Sequence, residues 1–214
     1  MFGWVRVSMD GRTYSHIHQP QKMSCGATSL AMLVWNCGYG LGSEIVARWT
    51  MRGVERERTG RSILSDPDPM DDIGTDEKRV AKILREYYGL IAKVTNAEQL
   101  AAKISTAPAD WSSYVVGVWW SGGGGHLVTV IVRGANALIF DPGAPSGTIR
   151  KVACSKLVGG AAGARTLNVP GMAANTIDRA VEVPPQHGAM TFAKNLLQTP
   201  SWIYEFGRMG LPSW

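Results

Sequence analysis

Residues 19–38 read QPQKMSCGATSLAMLVWNCG, a polar loop that runs directly into an apolar segment. After Ala27 the apolar side chains recur at helical spacing, at Leu30, Leu33, Val34 and Cys37. Gly38 follows as a helix stop. The pattern predicts a core-packed helix with Cys25 at its N-terminus or just before it.

Further helices are expected downstream. A short helix is predicted at Ser43–Thr50, followed by a charged, proline-interrupted surface loop over 51–74. Thr75 is a candidate N-cap for a helix that ends at Gly89. Residues 95–106, TNAEQLAAKIST, predict another short helix.

The pattern changes after Pro108. The runs YVVGVWW, HLVTVIV and NALIFD are rich in β-formers and are separated by turn residues, as in adjacent antiparallel strands. Helices first and strands second predict an α+β fold. We expect a core over residues 1–150 and a C-terminal extension over 151–214 that packs on it, with a short helix at TFAKNLLQ, residues 191–198.

The charge pattern, the cysteine count and the apolar runs bear on the partners and the location of the protein. The chain has 214 residues and a formal charge of +5, but its basic residues are dispersed among acids, so nucleic acid is not an expected partner. Three cysteines give no disulfide framework and suit a reducing compartment. No signal-peptide pattern or 18-residue apolar run is present. We expect no membrane span and a cytoplasmic location in the producing cell, with export by a signal-less system left open.

Cys25 is the candidate nucleophile of this sequence. A thiol attacks as thiolate, which a helix N-terminus and a neighbouring imidazolium both favour. His126 is the best histidine for that role, because it opens a strand directly after SGGGG. If 126–132 and 137–141 form a hairpin, Asp141 can accept a hydrogen bond from His126 and orient it.

Gln19, six residues before Cys25, is a candidate donor to an oxyanion together with the Cys25 backbone N–H. Gln21, four residues before Cys25, competes for this role, and the position of the helix start favours Gln19.

QPQKMSCGATSLAML resembles the nucleophile segment of papain-like cysteine peptidases, especially the C39-like group, and its Met-Ser-Cys run is similar to bacterial effector proteases of the AvrRpt2 type. GGGGHLVTVIV and ALIFDPG resemble the histidine strand and Asp-Pro turn of the C39-like group, and TDEKRVAKILREYYGLIAKV resembles its intervening helix. The resemblance covers about residues 15–150. His126 follows Cys25 by 101 residues, fewer than the ~130–150 of cathepsins.

The resemblance implies a papain-like fold, in which an N-terminal nucleophile helix packs on an antiparallel sheet. It implies Cys25 as nucleophile, His126 as general base and acid, Asp141 as orienter and Gln19 in the oxyanion hole. The expected reaction is peptide-bond hydrolysis on a protein or peptide substrate, in a bacterial toxin or effector. For such a protein the resemblance implies a cognate inhibitor or immunity protein as a further partner. Deamidation or transglutaminase-type acyl transfer on the same site, and a non-catalytic binding module, stay open as alternatives.

The cysteines and histidines can also be explained without catalysis. A cysteine opening an apolar helix is often only a packing residue, and Cys37 and Cys154 are expected to be just that. His16-x-His18 places two imidazoles on one face of an extended segment, yet no zinc spacing is met. We therefore expect no metal and no cofactor. The oligomeric state is not predicted by the sequence.

Overall fold

The structure of the protein is a computed structural model that describes residues 4–20, 22–39, 75–106 and 111–185. The helices predicted at 43–50 and 191–198 and the loop predicted at 51–74 lie outside these residues. The elements in chain order are β1 Val5–Met9, β2 Arg12–His16, α1 Cys25–Asn36, α2 Glu77–Glu86, β3 Lys93–Asn96, α3 Ala97–Ser105, β4 Ser112–Trp120, β5 Gly125–Arg133, β6 Asn136–Phe140, β7 Ile149–Ala153, α4 Cys154–Leu157, β8 Val158–Gly159, β9 Thr166–Leu167 and β10 Asn175–Val183.

A six-stranded antiparallel sheet organises these elements, with strand order β3-β10-β4-β5-β6-β7. The three strands expected from the sequence are β4, β5 and β6, and they are neighbours as predicted. Strand β10, which falls in the expected C-terminal extension, lies between β3 and β4. Residue 150 therefore does not divide the sheet, and the fold is a mixed α+β arrangement of antiparallel sheets and a few helices.

Both faces of the sheet are covered. One face packs against α1 and α2 through side chains such as Val115, Leu127 and Val181. The opposite face, with Val116, Val128 and other alternating residues, packs against α3 and α4. A strand covered on both sides is apolar over most of its length, which explains the run YVVGVWW in β4; the hydroxyls of its two buried serines, Ser112 and Ser113, are hydrogen-bonded.

The β1–β2 hairpin covers the far end of the α1 face, where Tyr14 and Ile17 pack with Met32. Its turn is Asp10-Gly11, and both residues have positive φ, 51° and 72°. That backbone suits the two-residue turns that join twisted strands. The hairpin brings the chain to the loop that precedes Cys25.

Helix α2 begins one residue later than the sequence suggests. Asp76, rather than Thr75, is the N-cap, and its carboxylate accepts a hydrogen bond from the Arg79 backbone N–H at 2.8 Å. A carboxylate is favoured there by the helix dipole as well as by the unpaired N–H groups of the first turn. Among the described helices, none has the length and apolarity to cross a membrane.

Candidate active site

Cys25 is the first residue of α1, and its side chain is half-buried. The next residue, Gly26, is buried against the start of α2. A Cβ on Gly26 would overlap the Thr75 side chain and come within 3.0 Å of Leu127 Cδ1. The glycine after the cysteine therefore lets the helix carrying the thiol approach both α2 and β5.

Two buried hydrogen bonds fix α1 against β5. The Ser29 hydroxyl donates to the Leu127 carbonyl at 2.8 Å, and the Thr129 hydroxyl donates to the Ser29 carbonyl at 2.7 Å. Ser29 lies one helical turn after Cys25, and Leu127 directly follows His126. Because residues four apart share a helix face, this pair of bonds sets the position of the thiol relative to the histidine.

His126 and Asp141 are joined as the hairpin interpretation predicts. The register pairs Phe140 with Thr129, so Asp141 follows just beyond β6 and lies diagonally across from His126. The distance from His126 Nε2 to Asp141 Oδ1 is 2.8 Å. The same Oδ1 accepts the Gly143 N–H at 2.8 Å, which holds the carboxylate in place.

The thiol lies beside this pair: Cys25 and His126 line the same cavity, and the interaction with Cys25 helps to raise the pKa of His126. Since Nε2 faces Asp141, Nδ1 is the ring nitrogen left for the thiol. Burial alone would lower the pKa of His126, but the bonds and charges of Asp141 and Cys25 outweigh burial and raise it to about 9. Burial would raise the pKa of Asp141, and His126, Gly143 and Arg150 together hold it below its ordinary value.

Trp120 covers the imidazole. Its ring is stacked on that of His126, with centroids 5.3 Å apart and an angle of 27° between the planes. An indole face attracts a cation, so this stacking favours the protonated imidazole. Trp120 is not among the site residues expected from the sequence, although it ends β4, the strand that pairs with β5.

His16 supports Asp141 from behind. Its buried ring accepts the Gly147 N–H at Nδ1, at 3.1 Å, and must therefore donate from Nε2 to the Asp141 carbonyl at 2.9 Å. Burial lowers the pKa of His16, in keeping with this neutral ring. His18 bonds the same loop, through Nδ1 to the Ala144 carbonyl at 3.0 Å. Both histidines thus fix the loop that carries Asp141.

Gln19 lies in the loop between His16 and Cys25, where it donates hydrogen bonds to two backbone carbonyls. Its N–H donates to the Pro142 carbonyl at 2.8 Å, and its side-chain amide donates to the Lys22 carbonyl at 2.8 Å. Gln19 is not among the residues that line the cavity beside the thiol. The structure brings Cys25, His126 and Asp141 together, and Gln19 braces the turn before Cys25.

A cavity of about 360 Å³ opens beside the thiol and the imidazole. Its walls come from the turn before α1, the first turn of α2, strands β4 and β5, and β10. The lining residues are Met23, Cys25, Thr75, Asp76, Glu77, Arg79, Val118, Trp119, Gly125, His126, Leu127 and Asp178. This volume lies within the range of about 300–1,000 Å³ that is usual for ligand sites.

The other two thiols lie in packed surroundings. Burial raises the pKa of Cys37 to about 12 and also raises that of Cys154, whose thiol contacts the Gly134 carbonyl. Within the described residues, no group of three or more His, Cys, Asp or Glu side chains is placed to hold a metal ion.

Comparison with models of known protein families finds no match to this chain. A search among curated proteins also finds no match.

Proposed function

We propose that the protein is a cysteine peptidase with a papain-like arrangement, in which Cys25 forms an acyl-enzyme with the substrate. The observation that carries the proposal is the hydrogen bond from Asp141 to His126, with the imidazole next to a thiol on the first residue of a helix. A nucleophile, a base in contact with it and a third group that orients the base are the recurring parts of such sites.

Asp141 fixes the ring of His126 by engaging Nε2. The Cys25 proton passes to Nδ1, and the thiolate attacks the substrate carbonyl carbon. The C–N bond then breaks, and His126 returns the proton to the departing amine. A water molecule, deprotonated by His126, attacks the thioester and releases the acid and the free thiol.

The oxyanion needs donors next to the thiol. The first N–H groups of a helix have no partner within it, so the Cys25 N–H is suited to this role. Gln19 is retained as the second donor only through the family resemblance, and its amide would have to donate to the oxyanion in addition to Lys22. Losing one such donor typically slows catalysis by about 10²–10³.

The test is to incubate a mixed proteome with wild-type protein, with Cys25→Ala and with Cys37→Ala as a matched thiol control, and to identify new N-termini by mass spectrometry. We expect new termini with wild type and Cys37→Ala that are absent with Cys25→Ala. Deamidated or cross-linked glutamines without new termini would assign the site to acyl transfer instead. No Cys25-dependent change of any kind would refute the catalytic proposal.

A further inference from the structure

Glu77 is a buried carboxylate in the wall of the cavity that holds the thiol. The residue is 7% exposed, although it occupies the first position of α2. Its carboxyl group fills the space over Gly117 on β4, where any side chain would overlap Glu77 Oε1. A glycine in the sheet therefore makes the recess that this carboxylate occupies.

The charge of Glu77 is poorly compensated. In the described part of the chain no lysine or arginine forms an ion pair with it. Burial and the nearby carboxylates of Asp178 and Asp76 raise the pKa of Glu77, and Arg179 offsets this only in part. A buried charge without a partner is costly, so a cation bound beside Glu77 would stabilise its ionised form.

The cavity wall is acidic overall. Asp76, Glu77 and Asp178 contribute three carboxylates, against the guanidinium of Arg79. His126 is the other cationic group, but it is already bonded to Asp141. The carboxylates of the wall therefore outweigh its cations, and the electrostatic potential in the cavity favours a positively charged ligand.

Two more groups in the same wall suit a long basic side chain. Trp119 is 55% exposed and lines the cavity beside Gly125. An exposed indole face packs against the methylene stem of lysine or arginine and attracts its cationic head. The Thr75 hydroxyl oxygen is buried without a hydrogen-bond partner among the described residues, and it can accept an N–H from such a head.

We propose that this cavity is a subsite for a lysine or arginine side chain of the substrate, with Glu77 binding the cation and Trp119 the stem. The assignment to a substrate rests on the proposed peptidase function, whereas cation binding by the cavity does not. The site therefore predicts cleavage next to basic residues.

Cation binding is tested without catalysis, on the full-length Cys25→Ala variant. N-acetyl-arginine methylamide and its neutral isostere N-acetyl-citrulline methylamide are titrated separately, with tryptophan fluorescence and NMR shifts as readouts. We expect the arginine compound to bind at least about tenfold more tightly than the citrulline compound, because only arginine can form a charged hydrogen-bonded pair with Glu77. Equal affinities, or no binding of the arginine compound, would overturn the inference.

The same titration on variants assigns the preference. Glu77→Gln keeps the shape of the side chain and should remove the preference for arginine, whereas Glu86→Gln, an equal charge change at the exposed end of α2, should keep it. Trp119→Leu, at an exposed position, should weaken both compounds. A preference that persists in folded Glu77→Gln protein, checked by circular dichroism, would overturn the role of Glu77.

Cleavage products then separate this inference from the proposed function. Cys25-dependent sites should be enriched in Lys or Arg beside the cut bond, and Glu77→Gln should remove the enrichment. Cys25-dependent cleavage without a basic preference would overturn the subsite and leave the peptidase intact. Arginine binding without any Cys25-dependent product would overturn the peptidase and leave the cation site intact.

Discussion

Replacing Asp141 with asparagine removes the charge beside His126 and leaves the size of the partner unchanged. The amide oxygen can still accept from His126 and from Gly143, whose distances to Asp141 Oδ1 are both 2.8 Å. The pKa of His126 is therefore expected to fall in Asp141→Asn, while the fold is retained.

The size of the effect follows from the His126 pKa, which is raised from 6.5 to about 9 despite burial. One pKa unit corresponds to about 1.4 kcal/mol, so the bonds to the imidazolium contribute about 3 kcal/mol to folding. Because the pKa is raised, this contribution is complete below pH 6.5 and is lost as the pH rises through about 9. Cys25 supplies part of it, so we expect Asp141→Asn to lose on the order of 2 kcal/mol at pH 6.

The assay is urea unfolding, followed by tryptophan fluorescence, at pH values from 6 to above 9. The stability difference between wild type and Asp141→Asn should shrink as the wild-type imidazolium loses its proton, and an NMR titration of His126 should show the lowered pKa directly. Asp10→Asn is the control, because it removes the same charge from an exposed ion pair with Lys151 that does not involve His126. A difference that is constant across this pH range, or a His126 titration unchanged in Asp141→Asn, would refute the reasoning.

Two further variants test how the site is held. Gly26→Ala should destabilise the protein by about 1–3 kcal/mol, because its new Cβ meets the Thr75 side chain at the start of α2; urea unfolding measures the loss. His16→Gln should cost about 1–3 kcal/mol at pH 7 by disturbing the bonds to Asp141 and Gly147. Burial lowers the pKa of His16 in the folded protein. The stabilisation by its neutral ring is therefore present above pH 6.5 and is lost as the pH falls through the lower pKa of the folded state. On acidification, His16→Gln should thus lose less stability than wild type.

Each of these variants has its own control. Adding Thr75→Ala to Gly26→Ala should restore most of the lost stability, and a double variant no better than Gly26→Ala would show that the Thr75 contact is not the cause. His18→Gln leaves both hydrogen bonds of His16 in place. If His16→Gln and His18→Gln had the same acid dependence, the buried neutral ring of His16 would not be its source.

The parts of the site that the sequence predicts are those fixed by local pattern and by one hairpin. Cys25 opens α1 because the apolar spacing defines the helix, and His126 meets Asp141 because β5 and β6 are consecutive strands with a short turn. Both inferences need only neighbouring stretches of chain.

What the sequence did not predict depends on long-range packing. Strand β10 lies between β3 and β4 in the sheet, and the glycine-rich stretch that precedes it has no clear hydrophobic period. Pairing between strands so distant in the sequence leaves no local pattern. His16 bonds a loop 125 residues further along the chain, and the Glu77 carboxyl packs over Gly117, 40 residues away on β4. By contrast, Asp10-Gly11 between two alternating runs is a local hairpin signal that predicts the β1–β2 turn.

The central claim is that His126 activates the Cys25 thiol, and the most direct measurement is the rate of alkylation of each cysteine by iodoacetamide at pH 6, followed by peptide mass spectrometry. We predict that Cys25 reacts fastest, because burial raises the pKa of both Cys37 and Cys154, and that His126→Gln slows Cys25 by about tenfold or more. A Cys25 rate no greater than that of the buried thiols, or one unchanged in His126→Gln, would contradict the claim.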